Sequence, residues 1–299
     1  MRANVFFFLP VAFLILSCNQ LFYHPDSVIY QSPGSLRKIE IRSIWVKSKD
    51  SQLHSWHIKS GQKDPFGTVL HFHGNAQNLT AHIWFSYWLT HFGFDLIIFD
   101  YSGFGKSTGK PDQIQLANDG QAMISWGLNS EAVTRPLFIL GQSLGGRVSV
   151  TSLNQLNAQK QLSDNIGGII LDSSFHSYRD LARMKLSEFW LTWPFQIPLS
   201  WLVSDQSDPD FMSKEVADLP LLAFHSKHDP VVPLEAGMDL YKQFNHPSKI
   251  EILEESGHTL ALGFADKKKQ IINFLCEQSS DSEYCLKVLD DHVNKISLQ

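Results

Sequence analysis

The chain has 299 residues, of which 43% are hydrophobic and 18% are charged. This composition excludes an intrinsically disordered chain, which needs low hydrophobicity and high net charge, and it excludes fibrous and polytopic membrane proteins as well. Lys and Arg total 25 against 30 Asp and Glu, for a formal net charge of -5, so the positive surface that nucleic-acid binding requires is missing and no nucleic-acid partner is expected.

The first 17 residues have the pattern of an export signal. Arg2 precedes a continuous apolar run from Val5 to Leu16, and Ser17-Cys18 follows. As a helix, this run would reach only about 18 Å, well short of the roughly 30 Å hydrocarbon core of a bilayer. The pattern therefore predicts a signal segment over 1–17 and not a membrane-spanning helix.

The segment Leu14-Ile15-Leu16-Ser17-Cys18 resembles a bacterial lipobox, in which the cysteine is acylated and becomes the first residue of the mature chain. Asn19 follows the cysteine, and the resemblance then implies an outer-membrane lipoprotein that faces the periplasm. More than one acyl chain on Cys18 would give stable anchoring. An ordinary cleaved signal peptide and an uncleaved anchor are the alternatives.

Two further cysteines lie near the C-terminus, at Cys276 and Cys285. In the oxidising compartment that an export signal implies, a disulfide between them is one expectation. Two free buried thiols are the other, because spacing along the chain does not supply the geometry that a disulfide needs.

Several segments have the hydrophobic patterns of β-strands. Ile39–Val46 and His54–Ile58 alternate apolar and polar residues, which is typical of antiparallel strands with one solvent-facing side. Short and almost wholly apolar runs are typical of central strands buried on both faces. These runs are Thr68–Phe72, Asp95–Phe99, Leu137–Leu140, Gly168–Leu171 and Leu221–Phe224.

Segments with helical spacing of apolar residues lie between the strands, at 113–128, 144–157, 235–245 and about 264–276. This alternation predicts the α/β class, with a mostly parallel central sheet flanked by helices. We expect one domain over 37–276, with a tether at 18–36 before it and a polar tail at 277–299 after it. The Trp- and Pro-rich interval at 176–210 is expected to be a helical, lid-like insertion, or else a helical excursion that only packs on the sheet.

Gly141-Gln142-Ser143-Leu144-Gly145 matches the G-x-S-x-G pattern of a nucleophile elbow. It follows a predicted strand directly and precedes a predicted helix, which is the context that this motif requires. The sharp turn needs small residues around the serine, and it places Ser143 at a helix N-terminus, where free amides favour a developing oxyanion. We therefore predict that Ser143 is a nucleophile.

A serine nucleophile needs a base to take its proton and a carboxylate to orient that base. Asp229 follows the strand Leu221–Phe224, and His258 follows the strand-like Lys249–Leu253. Both should lie at the carboxyl edge of the sheet with Ser143, where ligands bind in open α/β sheets. We predict His258 as the base and Asp229 as the acid, with His228 at the surface or in a supporting position next to the site residues. The rival acids are Asp172, Asp205, Asp208 and Asp210.

The turn His73-Gly74-Asn75-Ala76 follows the strand Thr68–Phe72. Backbone amides at such a turn can stabilise the oxygen of a tetrahedral intermediate. We predict an oxyanion hole made of the amides of Asn75 and Leu144, with His73 bracing the loop by hydrogen bonding.

Two other patterns suggest different chemistry. Gly105-Lys106-Ser107 resembles the end of a phosphate-binding loop, but the first glycine of that motif would have to stand at Asp100. His71 and His73 share one face of a strand and suggest a metal-dependent hydrolase. No Asp follows at the spacing that a metal-dependent hydrolase needs, so no metal is predicted. A serine mechanism needs no organic cofactor, and none is predicted. A non-catalytic binding module on the same fold is a third hypothesis.

Together these motifs resemble the α/β-hydrolase superfamily, specifically its Bem46-like and related α/β-hydrolase-domain serine hydrolases. The resemblance covers about 37–276 and implies the eight-stranded, mostly parallel sheet of that fold. The motifs that carry it are His73-Gly74-Asn75, Asp100–Ser107, Gly141–Gly145, Asp229–Pro233 and Gly257-His258.

The expected activity is that of a serine hydrolase that cleaves an acyl ester or thioester through an acyl-enzyme, like a carboxylesterase or lipase. A serine peptidase or amidase is the alternative, because the same triad serves either bond and fold analogy does not choose between them. We expect a monomer whose partners are a small-molecule or lipid acyl substrate and, through its lipid anchor, a membrane.

Overall fold

The computed structural model describes residues 23–35, 40–162, 164–188, 192–201, 203, 205, 212–245 and 248–288. The predicted signal segment at 1–17 and the predicted lipid-attachment residue Cys18 lie outside the described residues, as do Asp208 and Asp210. Within the described ranges, none of the helices combines the length and the apolarity needed to cross a bilayer.

A main sheet of eight strands organises the described part of the chain, in the order β10-β9-β8-β7-β4-β6-β3-β2. Its neighbouring strands run parallel, except that β3 is antiparallel to both β2 and β6. The strands are β1 His24–Pro25, β2 Ile41–Ser48, β3 Ser51–Ile58, β4 Thr68–Phe72, β5 Ala76–Gln77, β6 Asp95–Phe99, β7 Leu137–Gln142, β8 Ile166–Asp172, β9 Leu221–Ser226 and β10 Lys249–Leu253. The predicted mostly parallel α/β sheet is confirmed.

The described α-helices are α1 Leu79–Ser86, α2 Gln113–Asn129, α3 Leu144–Ala158, α4 Tyr178–Glu188, α5 Gln196–Ser200, α6 Lys214–Ala217, α7 Leu234–Tyr241 and α8 Ala265–Glu277. Local chemistry explains two of the starts. The side chain of Asn78 accepts the amide of Thr80, and that of Asp112 accepts the amide of Gln115, which are standard N-caps.

Helix α1 was not predicted. Its apolar residues are spread around the whole circumference: Leu79 and Ile83 are buried, whereas Trp84 is 52% exposed. A helix without a single apolar face gives no periodic signal, and only its packing against the sheet reveals it.

Apolar side chains cover both faces of the sheet. Successive residues of a strand point to opposite faces, so Val69 and Leu70 of β4 belong to different core clusters. Each fully buried side chain of this size stabilises the fold by roughly 1.5–3 kcal/mol. This double burial makes the sheet a rigid platform for the loops at its carboxyl edge.

The interval predicted as a lid-like insertion contains helical elements among its described residues. It contains α4, a 3₁₀ turn at Trp193–Phe195 and α5. Phe195, Ile197 and Trp201 are 58%, 55% and 71% exposed. The ammonium of Lys185 on α4 donates to the carbonyl of Pro230, which ties the insertion to the loop that carries Asp229.

The described parts of the predicted tether and tail, 23–35 and 277–288, contact the domain. From Tyr23 onwards the N-terminal segment packs on the domain, with Tyr23 itself only 4% exposed. At the other end, residues 282–288 are helical, and Cys276 and Cys285 form a disulfide with their Cα atoms 5.3 Å apart. The described parts of both segments therefore belong to the folded unit.

Candidate active site

Ser143 lies between the last residue of β7 and the first residue of α3. Its backbone has φ 51° and ψ -117°, a sparsely populated conformation for a residue with a side chain. Two hydrogen bonds hold the turn: the amide of Ser143 donates to the carbonyl of Asp172 at 2.9 Å, and the hydroxyl of Ser174 donates to the carbonyl of Ser143 at 3.1 Å. The elbow therefore rests on the adjacent strand β8.

Small residues are required around this turn for a steric reason. A methyl group on Gly141 would come within 2.5 Å of the Cα atom of Gly146, and one on Gly145 would overlap the carbonyl oxygen of Phe72. The glycines let α3 begin directly against β4 and β7. The strained serine backbone is thus imposed by packing on both sides.

Asp229 and His258 are in direct contact. The Nδ1 atom of His258 donates to Oδ2 of Asp229 at 2.8 Å, and Oδ1 of Asp229 accepts the amides of Val231 and Val232 at 2.8 and 2.9 Å. The histidine side chain stays 21% exposed while the carboxylate is buried. This contact fixes the tautomer of His258, so that Nε2 is the nitrogen left to accept a proton.

The electrostatics favour an ionised Asp229. Burial opposes ionisation, but the hydrogen bond and positive charge of His258, with the amides of Val232 and Val231, outweigh it and hold the pKa of Asp229 below its ordinary value. An ionised acid behind a histidine stabilises the imidazolium that forms when the histidine takes a proton.

The rival acids occupy other positions. Asp205 accepts the hydroxyl of Ser177 and the amide of Arg179, so it braces the start of α4. Asp172 is buried at the end of β8, and neither of its carboxylate oxygens has a hydrogen-bond partner within the described residues. Among the described candidates Asp172, Asp205 and Asp229, it is Asp229 that contacts His258.

Burial shapes the ionisation of Asp172. Its desolvation and the nearby charge of Asp229 raise the pKa of Asp172 to about 7, although the side chain of Gln142 and two backbone amides, those of Ala261 and Leu262, approach it. Asp172 is thus a carboxyl that is easily protonated next to one that is held ionised.

The predicted oxyanion loop reaches the nucleophile. A methyl group placed on Gly74 would lie 4.0 Å from Cβ of Ser143. The hydroxyl of Tyr101 donates to the carbonyl of His73 at 2.9 Å, and Nδ1 of His73 donates to the carbonyl of Gly74 at 2.8 Å. His73 is therefore placed to brace this loop, which brings Asn75 beside the elbow.

The second predicted oxyanion donor is the amide of Leu144. Leu144 is the first residue of α3, and the first amides of a helix have no carbonyl partner within the helix. Its position directly after Ser143 leaves this amide on the helix N-terminus, where the backbone carries partial positive charge.

The histidines of β4 and its following turn do not form a metal centre. His71 uses both ring nitrogens in hydrogen bonds, to Ser86 at 2.8 Å and to Gln142 at 3.0 Å. Burial lowers the pKa of His71 to about 3 and that of His73 well below its ordinary value. Within the described ranges, no group of three or more His, Cys, Asp or Glu side chains has metal-binding geometry.

Sequence reasoning missed two serines that support the site. The hydroxyl of Ser173 accepts the amide of Thr259, the residue after His258, at 3.0 Å, and Ser174 holds the elbow as described above. The dipeptide Ser173-Ser174 thus connects the loop that carries His258 to the turn that carries Ser143. The sequence feature that could have identified this dipeptide is its position directly after β8, the strand next to β7.

The described residues place together the groups that acyl transfer would require. A strained serine, a histidine oriented by a buried carboxylate and two candidate backbone donors lie at the carboxyl ends of neighbouring parallel strands. Ser143 remains 9% exposed, and His258 of the base loop is partly open to solvent.

A comparison with protein-family models decides the family. Residues 63–218, more than half of the chain, match the model of the family described as serine aminopeptidase, S33. The chain belongs to this family of α/β hydrolases. The family resemblance inferred from the motifs is therefore confirmed.

The similarity between this S33-family hydrolase and its relatives covers more of the chain than residues 63–218. It is 31% identical over 265 residues to the protein named Uncharacterized protein YfhR of Escherichia coli K12, covering 85% of this chain and 86% of that protein. It is 27% identical over 209 residues to the mouse lysophosphatidylserine lipase ABHD12, covering 67% of this chain but only 51% of that protein.

Solved structures confirm the fold of this hydrolase. An alpha-beta hydrolase from Vibrio vulnificus superposes with a TM-score of 0.68 at 17% identity, covering 88% of this chain and 93% of that one. The esterase Pf2001 from Pyrococcus furiosus gives 0.65 at 19% identity, covering 86% and 98%. At this level of identity the likeness shows the α/β-hydrolase fold alone.

Proposed function

We propose that this hydrolase cleaves an acyl ester or thioester through a covalent acyl-enzyme on Ser143. The contact between Nδ1 of His258 and Oδ2 of Asp229 at 2.8 Å carries the proposal, because it orients a base in the loop that the dipeptide Ser173-Ser174 joins to the elbow. The relative named a lysophosphatidylserine lipase supports an ester bond.

In the first half-reaction, Oγ of Ser143 attacks the acyl carbonyl while Nε2 of His258 takes the hydroxyl proton. The carbonyl oxygen becomes an oxyanion that accepts hydrogen bonds from the amides of Asn75 and Leu144. His258 then gives its proton to the departing alcohol or thiol, which leaves the acyl group on Ser143.

In the second half-reaction, a water molecule attacks the acyl-enzyme. His258 takes a proton from the water, and the new C–O bond forms as the bond to Oγ of Ser143 breaks. The proton passes back to Oγ, so a carboxylic acid is released and the serine is regenerated. Asp229 stays ionised throughout and stabilises the imidazolium form of His258.

Replacement of the nucleophile tests this proposal. Ser143→Ala should lower kcat/KM for an activated ester by roughly 10⁴-fold or more and abolish labelling by a fluorophosphonate probe. Ser125→Ala, on the partly buried face of α2, is the matched control and should keep both. Retention of activity and labelling by the Ser143 variant would remove Ser143 as the nucleophile.

The bond type needs its own experiment, because the family description names an aminopeptidase whereas one relative is named a lipase. Rates would be measured on p-nitrophenyl esters of increasing chain length and on aminoacyl p-nitroanilides. The proposal expects hydrolysis of the esters, with a preference for longer acyl chains. Faster hydrolysis of the anilides would make this chain a peptidase or amidase.

We also propose that the mature protein carries lipid on Cys18 and lies on the periplasmic face of the outer membrane. The lipobox-like segment before Cys18 and the residue Asn19 support this location. Cells supplied with labelled palmitate should label the parent protein and not Cys18→Ser. An unlabelled parent protein would instead favour an ordinary signal peptide or an uncleaved anchor.

A further inference from the structure

An exposed apolar patch lies beside the oxyanion loop. It consists of Val28, Ile29, Tyr30 and Trp84, which are 55%, 63%, 40% and 52% exposed, and we call it the strap patch. The amide of Tyr30 donates to Oγ1 of Thr80 at 3.0 Å. This bond places the N-terminal segment on α1, where Trp84 lies one helical turn after Thr80 on the same face.

Polar groups of the same segment are turned inward. The side-chain amide of Asn78 donates to Oδ1 of Asp26 at 2.6 Å and to the carbonyl of Val28 at 2.8 Å. The hydroxyl of Tyr30 donates to Oδ2 of Asp26 at 2.7 Å. These bonds satisfy the carboxylate and the backbone, and the exposed side chains of 28–30 are the apolar or aromatic ones Val28, Ile29 and Tyr30. Contiguous surfaces of this kind mark protein or membrane contacts.

The same segment is joined to the site. Strand β1 pairs in parallel with β5, with His24 opposite Ala76 and Pro25 opposite Gln77, and the amide of His24 donates to the carbonyl of Asn75 at 3.2 Å. Thr80 is only five positions after Asn75 in the chain, a span of at most about 18 Å. The strap patch and the predicted oxyanion loop are therefore neighbours on one side of the molecule.

The sequence before the segment indicates what covers the patch. Tyr23 is buried at the start of the described residues, and Cys18 stands five residues earlier, a reach of at most about 18 Å. Val5–Leu16 is continuously apolar. Lipid on Cys18 and an uncleaved apolar segment would each bring residue 18 to a bilayer surface. Either attachment would hold the strap patch within reach of that surface.

We infer that the strap patch is a membrane-contact surface that lies on the lipid bilayer and turns the oxyanion side of the site towards it. Aliphatic side chains with Tyr and Trp suit the boundary between headgroups and acyl chains. The substrates favoured by this placement are acyl lipids of the membrane. That last statement rests on the proposed function, whereas the membrane contact does not.

Tryptophan fluorescence provides a direct test with the full chain. The protein is bound to vesicles whose lipids carry bromine on the acyl chains, which quench a tryptophan that contacts them. The sequence has 8 Trp, so single replacements identify the quenched one. Trp84→Phe keeps an aromatic ring in the patch but removes the fluorophore. Trp45→Phe is the matched control, since Trp45 on β2 is 51% exposed.

Quenching in the parent protein should fall by at least half in Trp84→Phe and be unchanged in Trp45→Phe. Quenching that persists in Trp84→Phe would overturn the proposal, as would a parent protein that vesicles do not quench. Loss of quenching in Trp201→Phe instead would place the membrane contact at the 176–210 insertion and also overturn it. None of these readings depends on hydrolysis.

A second measurement connects the surface to the substrate. The double variant Ile29→Ser with Trp84→Ser should hydrolyse a vesicle-embedded lysophospholipid at least fivefold more slowly than the parent, and a soluble short-chain ester at the parent rate. The double variant Trp45→Ser with Ile252→Ser has matched composition and similar exposure and should keep both rates. An equal loss on both substrates in the strap variant would contradict the role in lipid access. Absence of both activities in the parent would contradict the proposed function and leave the fluorescence result standing.

Discussion

The Nδ1 atom of His258 lies 2.8 Å from Oδ2 of Asp229. The charge of Asp229 also helps to raise the pKa of a second buried carboxyl, Asp172. The two acids have opposite electrostatic surroundings. Asp229 is held ionised by His258 and by two backbone amides, whereas burial favours a protonated Asp172.

Asp229→Asn should lower kcat by about 10⁴-fold, because the amide neither fixes the tautomer of His258 nor stabilises its cation. KM for a soluble ester should change little, since this side chain does not contact substrate. Steady-state kinetics check both values. Asp239→Asn, at an exposed position of α7, should behave like the parent. A loss below tenfold in Asp229→Asn would indicate that another acid orients His258.

Asp172 should make the protein less stable as the pH rises. Its pKa is about 7 in the folded protein but about 3.9 in an unfolded chain. The folded state therefore binds more protons over this interval, and the free energy of unfolding falls as pH increases through it. Asp172→Asn removes this dependence while keeping the shape of the protonated acid.

Urea unfolding at pH 5 and pH 8.5 measures this effect. At pH 8.5 the free energy of unfolding of Asp172→Asn should exceed that of the parent by about 4 kcal/mol. At pH 5 the difference should be much smaller. Asp239→Asn should show no such pH-dependent difference. The same Asp172→Asn effect at both pH values would contradict the assigned protonation.

Gly145→Ala should prevent the elbow from forming. The added methyl group would overlap the carbonyl of Phe72, and backbone on both sides leaves little room for relaxation. We expect a loss in the free energy of unfolding of more than about 4 kcal/mol, or failure to fold. Gly263→Ala is the control, because nothing lies within 4 Å of its new methyl group. Similar stability of the two variants, measured by urea unfolding, would contradict this account of the turn.

Reduction of the disulfide between Cys276 and Cys285 should destabilise the C-terminal end of the domain. Opening so short a loop should cost about 2–3 kcal/mol of unfolding free energy. Unfolding curves with and without dithiothreitol would show it. The double variant Cys276→Ala with Cys285→Ala should be insensitive to the reductant. An unchanged parent curve would mean that the bond adds no stability.

Much of the fold and of the candidate site could be predicted from the chain alone. The central strands were predictable because burial on both faces demands continuous apolar runs, as in Thr68–Phe72. Ser143 was predictable because a sharp strand-to-helix turn admits few residue types. Asp229 and His258 could be named as candidates, because each follows a strand whose carboxyl end meets the same edge.

Other features depend on contacts between residues far apart in sequence. Asp172 and Asp229 both follow central strands, so pattern alone left both as acid candidates, and the 2.8 Å contact with His258 separates them. Helix α1 gave no periodic signal, because Trp84 faces solvent while Leu79 and Ile83 are buried.

The sequence by itself determined the class of fold, the order of the motifs and the residue types available for chemistry, since these follow from local periodicity and turn geometry. Only the tertiary structure decided that Asp229 contacts His258, that Ser173 and Ser174 join the loop of His258 to the elbow, and that the segment from Tyr23 is bound to the loop of Asn75. The reason is physical: a hydrogen bond between distant residues depends on how the sheet brings their loops together, and no local pattern encodes that distance.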